Sequence, residues 1–255
     1  EKDVERALTL IENNTDVDKT DIHGFSPLMY ALRKRLFEVT KRLIGKGSDV
    51  NIQNKNKETA LHLIVKVKHG QVEMVERLIK AGADINVYNN RGEWCLDIAV
   101  KSSSPNTCIL ELLLSNGAKV NVKDLKQFTP LMWAVKNNNY DMVEMLIKVG
   151  AEVNFFNQYF DTCLHIAVKS QKPNMQAIEC LLANKADVNI VDWEQKTPLD
   201  KLVKTEIAMK LINHGSDVNF VNLSGKTTLM LASEKDLENL VQPLIEKGCN
   251  VNAVD

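Results

Sequence analysis

Apolar residues along this chain come in short bursts at helical spacing, and the bursts come in pairs. Within residues 129–150 the first burst holds Leu131 and Ala134, and the second holds Met142, Val143, Leu146 and Ile147. Residues three and four apart share one helix face, so the stretch predicts two short amphipathic helices in succession. A residue able to cap free backbone N–H groups precedes six of the seven first bursts: Ser26, Thr59, Thr129, Thr162, Thr197 and Thr227, while Trp94 stands there in the other copy. Proline follows at 27, 130 and 198, which suits the first helical turn. The second burst ends at a glycine, as a left-handed helix exit requires. Lys185 replaces that glycine once and is expected to bear a cost of ~1 kcal/mol. The nine residues before the next cap are polar and turn-rich, which predicts a hairpin-like loop.

This pattern is a tandem repeat. The phrase Ser26-Pro27-Leu28-Met29 recurs as 59–62, 94–97, 129–132, 162–165, 197–200 and 227–230, and all seven copies keep the leucine. The steps are 33, 35, 35, 33, 35 and 30 residues. A second phrase, Gly-Ser-Asp-Val-Asn at 47–51, recurs at 82–86, 117–121, 150–154, 185–189, 215–219 and 248–252, with a weaker copy at 14–18. With these residues the chain resembles the ankyrin repeat family, whose period is near 33 and whose signature is T-P-L-H-x-A. The resemblance implies an all-α repeat solenoid of stacked helix-turn-helix units joined by β-hairpin-like loops. A tetratricopeptide array lacks the loop and carries Trp and Tyr at fixed positions absent here. The chain divides into a partial unit at 1–18, then 19–51, 52–86, 87–121, 122–154, 155–189, 190–219 and 220–252, with 253–255 opening another unit. The partial first unit rests on Val4, Ala7, Leu10 and Ile11. A pair of helices this short cannot bury its apolar face alone, so the units must stack. The chain reads as a fragment of a longer protein with further units at both ends.

Some departures carry expectations of their own. Two extra residues separate the helices around His69, Pro105 and Pro173, and three are missing near Lys204-Thr205. Pro243 falls inside a second helix and is expected to kink or break it.

Composition narrows the function. No apolar run reaches the ~18 residues of a membrane span. The net charge of -1, from 32 Lys+Arg and 33 Asp+Glu, exerts no general pull on nucleic acid or anionic lipid. Five cysteines, odd in number and without C-x-x-C, point to a reducing, cytoplasmic setting and away from disulfides or zinc. The sequons at Asn13 and Asn222 are read as chance. No phosphate loop, H-E-x-x-H, G-x-S-x-G or calcium loop occurs. No catalytic residue, metal, cofactor or small-molecule substrate is expected. The resemblance places His62 and His165 at the signature position, where the ring bridges backbone groups between units. Asp97 and Asp200 replace that histidine three repeats apart, too far for a paired acid and base.

Two features could bind. Seven residues after successive caps stand Arg33, Lys66, Lys101, Lys136, Lys169 and Lys204, then Glu234. Packed helices lie ~8–10 Å apart, so these cations would form a positive stripe near the end of the first helix, which in the family lines the concave face. The second feature is aromatic. Ten of the 14 rings fall in the inter-repeat loops. Tyr88, Phe128, Trp133, Tyr159, Phe160 and Trp193 are the candidate patch; Trp133, on a first helix, edges the groove. The expectation is a non-catalytic module that binds a protein or an extended peptide through acidic groups and an apolar anchor. Binding of nucleic acid or anionic lipid through the stripe is the disfavoured alternative. A structural or regulatory array within a channel, kinase or secreted effector is a third. Oligomeric state is left open.

Overall fold

The computed structural model describes residue 12 and residues 16–67, 72–102, 106–201 and 204–254. Val4, Ala7, Leu10, Ile11, Asn13, His69 and Pro105, on which sequence expectations fell, lie outside the described residues.

A helix starts directly after six of the seven caps. These first helices are α1 (Pro27–Arg33), α3 (Ala60–Val65), α5 (Cys95–Lys101), α7 (Pro130–Lys136), α9 (Cys163–Val168) and α12 (Thr228–Glu234). Thr197 is followed only by a 3-10 turn, Leu199–Lys201. The second helices are nine residues each: α2 (Phe37–Gly45), α4 (Val72–Lys80), α6 (Thr107–Ser115), α8 (Tyr140–Lys148), α10 (Met175–Ala183), α11 (Thr205–Asn213) and α13 (Glu238–Glu246). The loops form no sheet among the described residues; isolated antiparallel bridges pair Tyr88 with Trp94 and Val221 with Thr227. The fold is the helical repeat solenoid that the sequence predicts.

The caps work as their chemistry requires. Met29 N–H donates to Ser26 Oγ at 3.3 Å, and Met132 N–H to Thr129 Oγ1 at 3.2 Å. In α9 the imidazole does this work: Thr162 N–H donates to His165 Nδ1 at 3.3 Å. His165 Nε2 lies 3.0 Å from the Lys196 carbonyl oxygen in the next hairpin. A carbonyl can only accept, so Nε2 carries the proton and Nδ1 accepts. Burial keeps the His165 pKa below its usual value, so the ring is a neutral strut between repeats. At the helix exits Gly150 has φ +92 with open space around its missing Cβ, so the backbone sign alone demands glycine. Lys185 adopts the same conformation at φ 62.

The chain gathers into two compact units, 1–125 and 126–255. In the first, α3 packs between α1 and α5, and α4 between α2 and α6. In the second, α7 packs on α9, α8 on α10 and α11 on α13. The signature leucines 28, 61, 96, 131, 164 and 199 are all buried. A polar stitch runs beside them. Asn51 Nδ2 donates to the Gly82 carbonyl while its Oδ1 accepts from Asp84 N–H, at 2.9 and 2.8 Å. Asn86, Asn154, Asn189 and Asn219 repeat this two-way bridge to the next repeat.

Pro243 departs from expectation. α13 continues through it, from Glu238 to Glu246. Leu240 and Leu244 are buried on either side, and Lys247 N–H still reaches the Pro243 carbonyl at 3.1 Å. Packing of the apolar face holds the helix against the loss of one donor.

Candidate interaction surface

Each hairpin carries an Asp or Asn five residues before the cap. Asn157 Oδ1 accepts from Tyr159 N–H and Asp161 N–H at 2.8 and 3.1 Å, and Asp21, Asn54, Asn89, Asp192 and Asn222 do the same. The residue two before the cap has positive φ in all seven hairpins, whether it is Gly24, Lys57, Gly92, Gln127, Phe160, Gln195 or Gly225. Tips link directly to one another. Lys55 N–H donates to the His23 carbonyl and Asn90 N–H to that of Asn56; in the second unit Trp193 N–H donates to that of Tyr159 at 3.1 Å.

This backbone presents the predicted rings unevenly. Trp193 is 60% exposed, and Tyr159 and Phe160 are each 50% exposed. Phe156, also exposed, stacks on Phe160 with centroids 5.1 Å apart. Phe128 is buried, 4.8 Å from the half-buried Trp133. Tyr88, in the first unit, is exposed and lies 5.4 Å from Trp94. A search for rings alone overlooks Ile22, Leu125 and Leu223, which are all strongly exposed. They share the position of Trp193, directly after the Asx residue, and that alignment is the signal that finds them.

Three of the cations prove to be halves of ion pairs. The residue eight positions earlier, just before the cap, faces each of these three. Lys66 Nζ is 3.1 Å from Glu58, Lys101 is 3.3 Å from Glu93, and Lys169 is 2.5 Å from Asp161. Lys101 also reaches buried Asp124 at 3.0 Å, and Lys169 lies 3.7 Å from buried Asp192. Burial alone would raise the Glu58 carboxyl, yet hydrogen bonds from Asn54 and Lys66 hold it below its ordinary value. The last repeat reverses the order, with Lys226 before the cap and Glu234 after it. Where the earlier residue is phenylalanine, the cation lies over rings instead. Arg33 sits 4.8 Å from the Phe25 centroid and 4.9 Å from that of Tyr30. Lys136 sits 5.3 Å from Phe128 and 4.9 Å from Trp133. Lys204 differs from the other five. Its repeat is three residues short, so it is the N-cap of α11 and not the end of a first helix. Lys201 takes over there, contacting Asp192 at 2.6 Å and also Glu194.

Other reactive groups are structural. The thiols of Cys95 and Cys163 are fully buried, and burial pushes Cys163 up to about 12, so neither is a nucleophile. Asp200 accepts hydrogen bonds from Thr197 and Thr228. Asp97 accepts from Trp94 N–H through Oδ2, but its Oδ1 is buried without a partner. Burial pushes the Asp97 carboxyl up to about 7. Among the described residues no cluster could hold a metal ion, and no helix is long and apolar enough to cross a membrane.

Comparison with known proteins agrees with this architecture. Mouse B-cell lymphoma 3 protein homolog is 32% identical over 131 residues, which is 49% of this chain and 29% of that protein. A putative ankyrin repeat protein of fowlpox virus (strain NVSL) is 36% identical over 96 residues, 36% of this chain and 28% of its own length. The chain therefore spans less than a third of either relative. The ankyrin repeat domain of Bcl-3 superposes with a TM-score of 0.70 at 23% identity, over 82% of this chain and 91% of that one. The human ASB11 ankyrin repeat domain gives 0.69 at 25% identity, over 89% and 99%. The family model for ankyrin repeats matches in overlapping blocks, 28–124, 63–157, 96–192, 131–219 and 164–255. With cap, signature leucine, glycine exit and hairpin recurring through those blocks, the chain belongs to the ankyrin repeat family.

Proposed function

We propose that this chain is a non-catalytic module that binds another protein, taking an extended segment against its hairpin tips and the ends of its first helices. One observation carries the reading: Tyr159, Phe160 and Trp193 stand half-exposed or more on successive hairpins whose tips are joined by a backbone hydrogen bond. Large rings on a pre-formed scaffold lose little entropy on binding and supply the anchors that dominate interfaces. Acidic groups of the partner would meet the cationic ends of the first helices, and its apolar groups Tyr88, Trp133, Tyr159, Phe160 and Trp193. Nucleic-acid or lipid binding receives less support, because carboxylates lie beside Lys66, Lys101 and Lys169.

Phe160 supplies the test. A phenylalanine at φ 58 costs ~1 kcal/mol relative to glycine. Its stack on Phe156 returns ~0.5–1.5 kcal/mol. Phe160→Gly is therefore expected to leave the melting temperature nearly unchanged. The same variant, and Trp193→Ala, should lose most of the affinity for peptides selected on the chain from a random display library. Retained affinity in both variants, or a selection that enriches nothing, would overturn the reading.

A further inference from the structure

Five cations occupy the end of a first helix, and three of them already have carboxylates. Lys66, Lys101 and Lys169 are spoken for by Glu58, by Glu93 and Asp124, and by Asp161 and Asp192. Arg33 and Lys136 have no carboxylate partner among the described residues. We propose that each of these two, Arg33 within the first unit and Lys136 within the second, is by itself a station that receives a carboxylate from an acidic segment of a bound partner. The proposal rests on the protein-binding function above and identifies its charged contacts.

Two substitutions coincide at each station. The acid before the cap is replaced by Phe25 or Phe128, which removes the directly paired carboxylate; at the first station Asp21 is engaged instead by the Tyr30 hydroxyl at 2.6 Å. The residue four after the cap, elsewhere Leu63, Ile98, Ile166, Lys201 or Leu231, becomes Tyr30 or Trp133. The cation is kept. The two aromatic changes occur together in these two repeats and in none of the other five. A general need for a positive helix end would call for the cation alone, since helix C-termini favour it everywhere.

The chemistry differs accordingly. A carboxylate approaching Lys169 must compete with Asp161 at 2.5 Å and loses most of its gain. A carboxylate approaching Lys136 meets a charge that two ring faces hold in position and leave unneutralised. Those rings also exclude water from one side of the ammonium, which strengthens the new ion pair. Pre-positioning the long side chain removes part of the entropy that a free lysine loses on binding. Exposed Tyr159 and Phe160 stand on the next hairpin, whose tip bonds back to Lys126 through Gln158 N–H at 3.4 Å. The segment that fits the second unit is thus extended, with Asp or Glu a few residues from an aromatic or aliphatic side chain.

The experiment uses the full chain and a random-peptide display library. Peptides enriched on the wild type are labelled, and their affinities are measured by fluorescence anisotropy across a salt series. The variants are Lys136→Gln, Lys136→Arg, Arg33→Gln and Lys66→Gln, with circular dichroism to verify folding. Enriched peptides should carry Asp or Glu. Lys136→Gln or Arg33→Gln should each weaken a subset of them about tenfold or more and flatten the salt dependence. Lys136→Arg should keep the affinity, and Lys66→Gln should change it less than about twofold. Acidic peptides that bind Lys136→Gln and Arg33→Gln as tightly as wild type overturn the stations. So does a loss in Lys66→Gln equal to that in Lys136→Gln. Peptides that are enriched but not acidic overturn the stations and leave the broader reading standing, whereas no enrichment at all overturns both.

Discussion

At the scale of single residues the polar side chains at the signature position show three arrangements. His165 spans from a cap to the next hairpin. Asp200 holds the cap with one oxygen and takes the Thr228 hydroxyl with the other. Asp97 holds its cap with Oδ2 and leaves Oδ1 buried and unpaired. Its surroundings decide its charge. Burial raises its pKa to about 7, while Trp94 N–H and Lys101 pull it down and Asp124 and Glu93 push it up. An unfolded aspartate titrates near ~3.9. Between those values the folded chain holds a proton that the unfolded chain has lost, so stability from this group is full below pH ~4 and falls as pH rises toward 7. Asparagine keeps the shape and the acceptor without titrating. Asp97→Asn should therefore raise the denaturation midpoint more at pH 8 than at pH 5, in chemical denaturation at both values. An equal shift at both pH values would mean that Asp97 is ionised in the fold at pH 5.

At the scale of elements the charge pairs explain both what the sequence disclosed and what it concealed. Helices were legible because caps, the 3.6-residue period and glycine exits are local signals, and six of the seven caps are followed directly by a helix. The cations were legible as a register but not as pairs. Their partners lie eight residues earlier, a spacing that belongs to neither helix nor strand and arises only when a hairpin folds back on the helix it feeds. The shortened repeat defeated the register at Lys204, since three missing residues turn a helix end into a helix start. Pro243 failed as a helix breaker because propensity is local, while the anchors Leu240 and Leu244 are tertiary. The reversed pair Lys226–Glu234 makes the pairing testable, because the protein itself tolerates either order. Lys66→Glu sets two acids face to face and should lower stability by roughly 0.5–1 kcal/mol, a modest cost because Lys66 is half-exposed. Adding Glu58→Lys should recover most of that loss in a double-mutant cycle by urea denaturation. No recovery would mean that the pair is a bystander to stability.

At the scale of the molecule a near-neutral chain of 255 residues passes order along from repeat to repeat. Stability in such an array approximates the sum of repeat and nearest-neighbour terms. The asparagine bridges are the polar part of the neighbour term, and Asn189 is one that lies well inside the second unit. Its Nδ2 donates to the Gly215 carbonyl at 3.1 Å and its Oδ1 accepts from Asp217 N–H at 2.9 Å. Both groups sit where α11 exits into the next hairpin, and the bridge also fixes the exit that begins at Lys185, whose backbone already carries left-handed strain. Asn189→Ala removes both hydrogen bonds but leaves water access to the exposed partners, so the cost should be about 1–2 kcal/mol and not the full price of two buried orphans. A local repeat fault would raise hydrogen exchange in α11 alone. A neighbour-term fault should raise it on both sides of the bridge, in α10 and α11 together, because α10 loses the partner that its exit was tied to. Hydrogen exchange read by mass spectrometry over 175–213 separates the two, and protection lost only in α11 would show that the asparagines decorate the stack instead of coupling it.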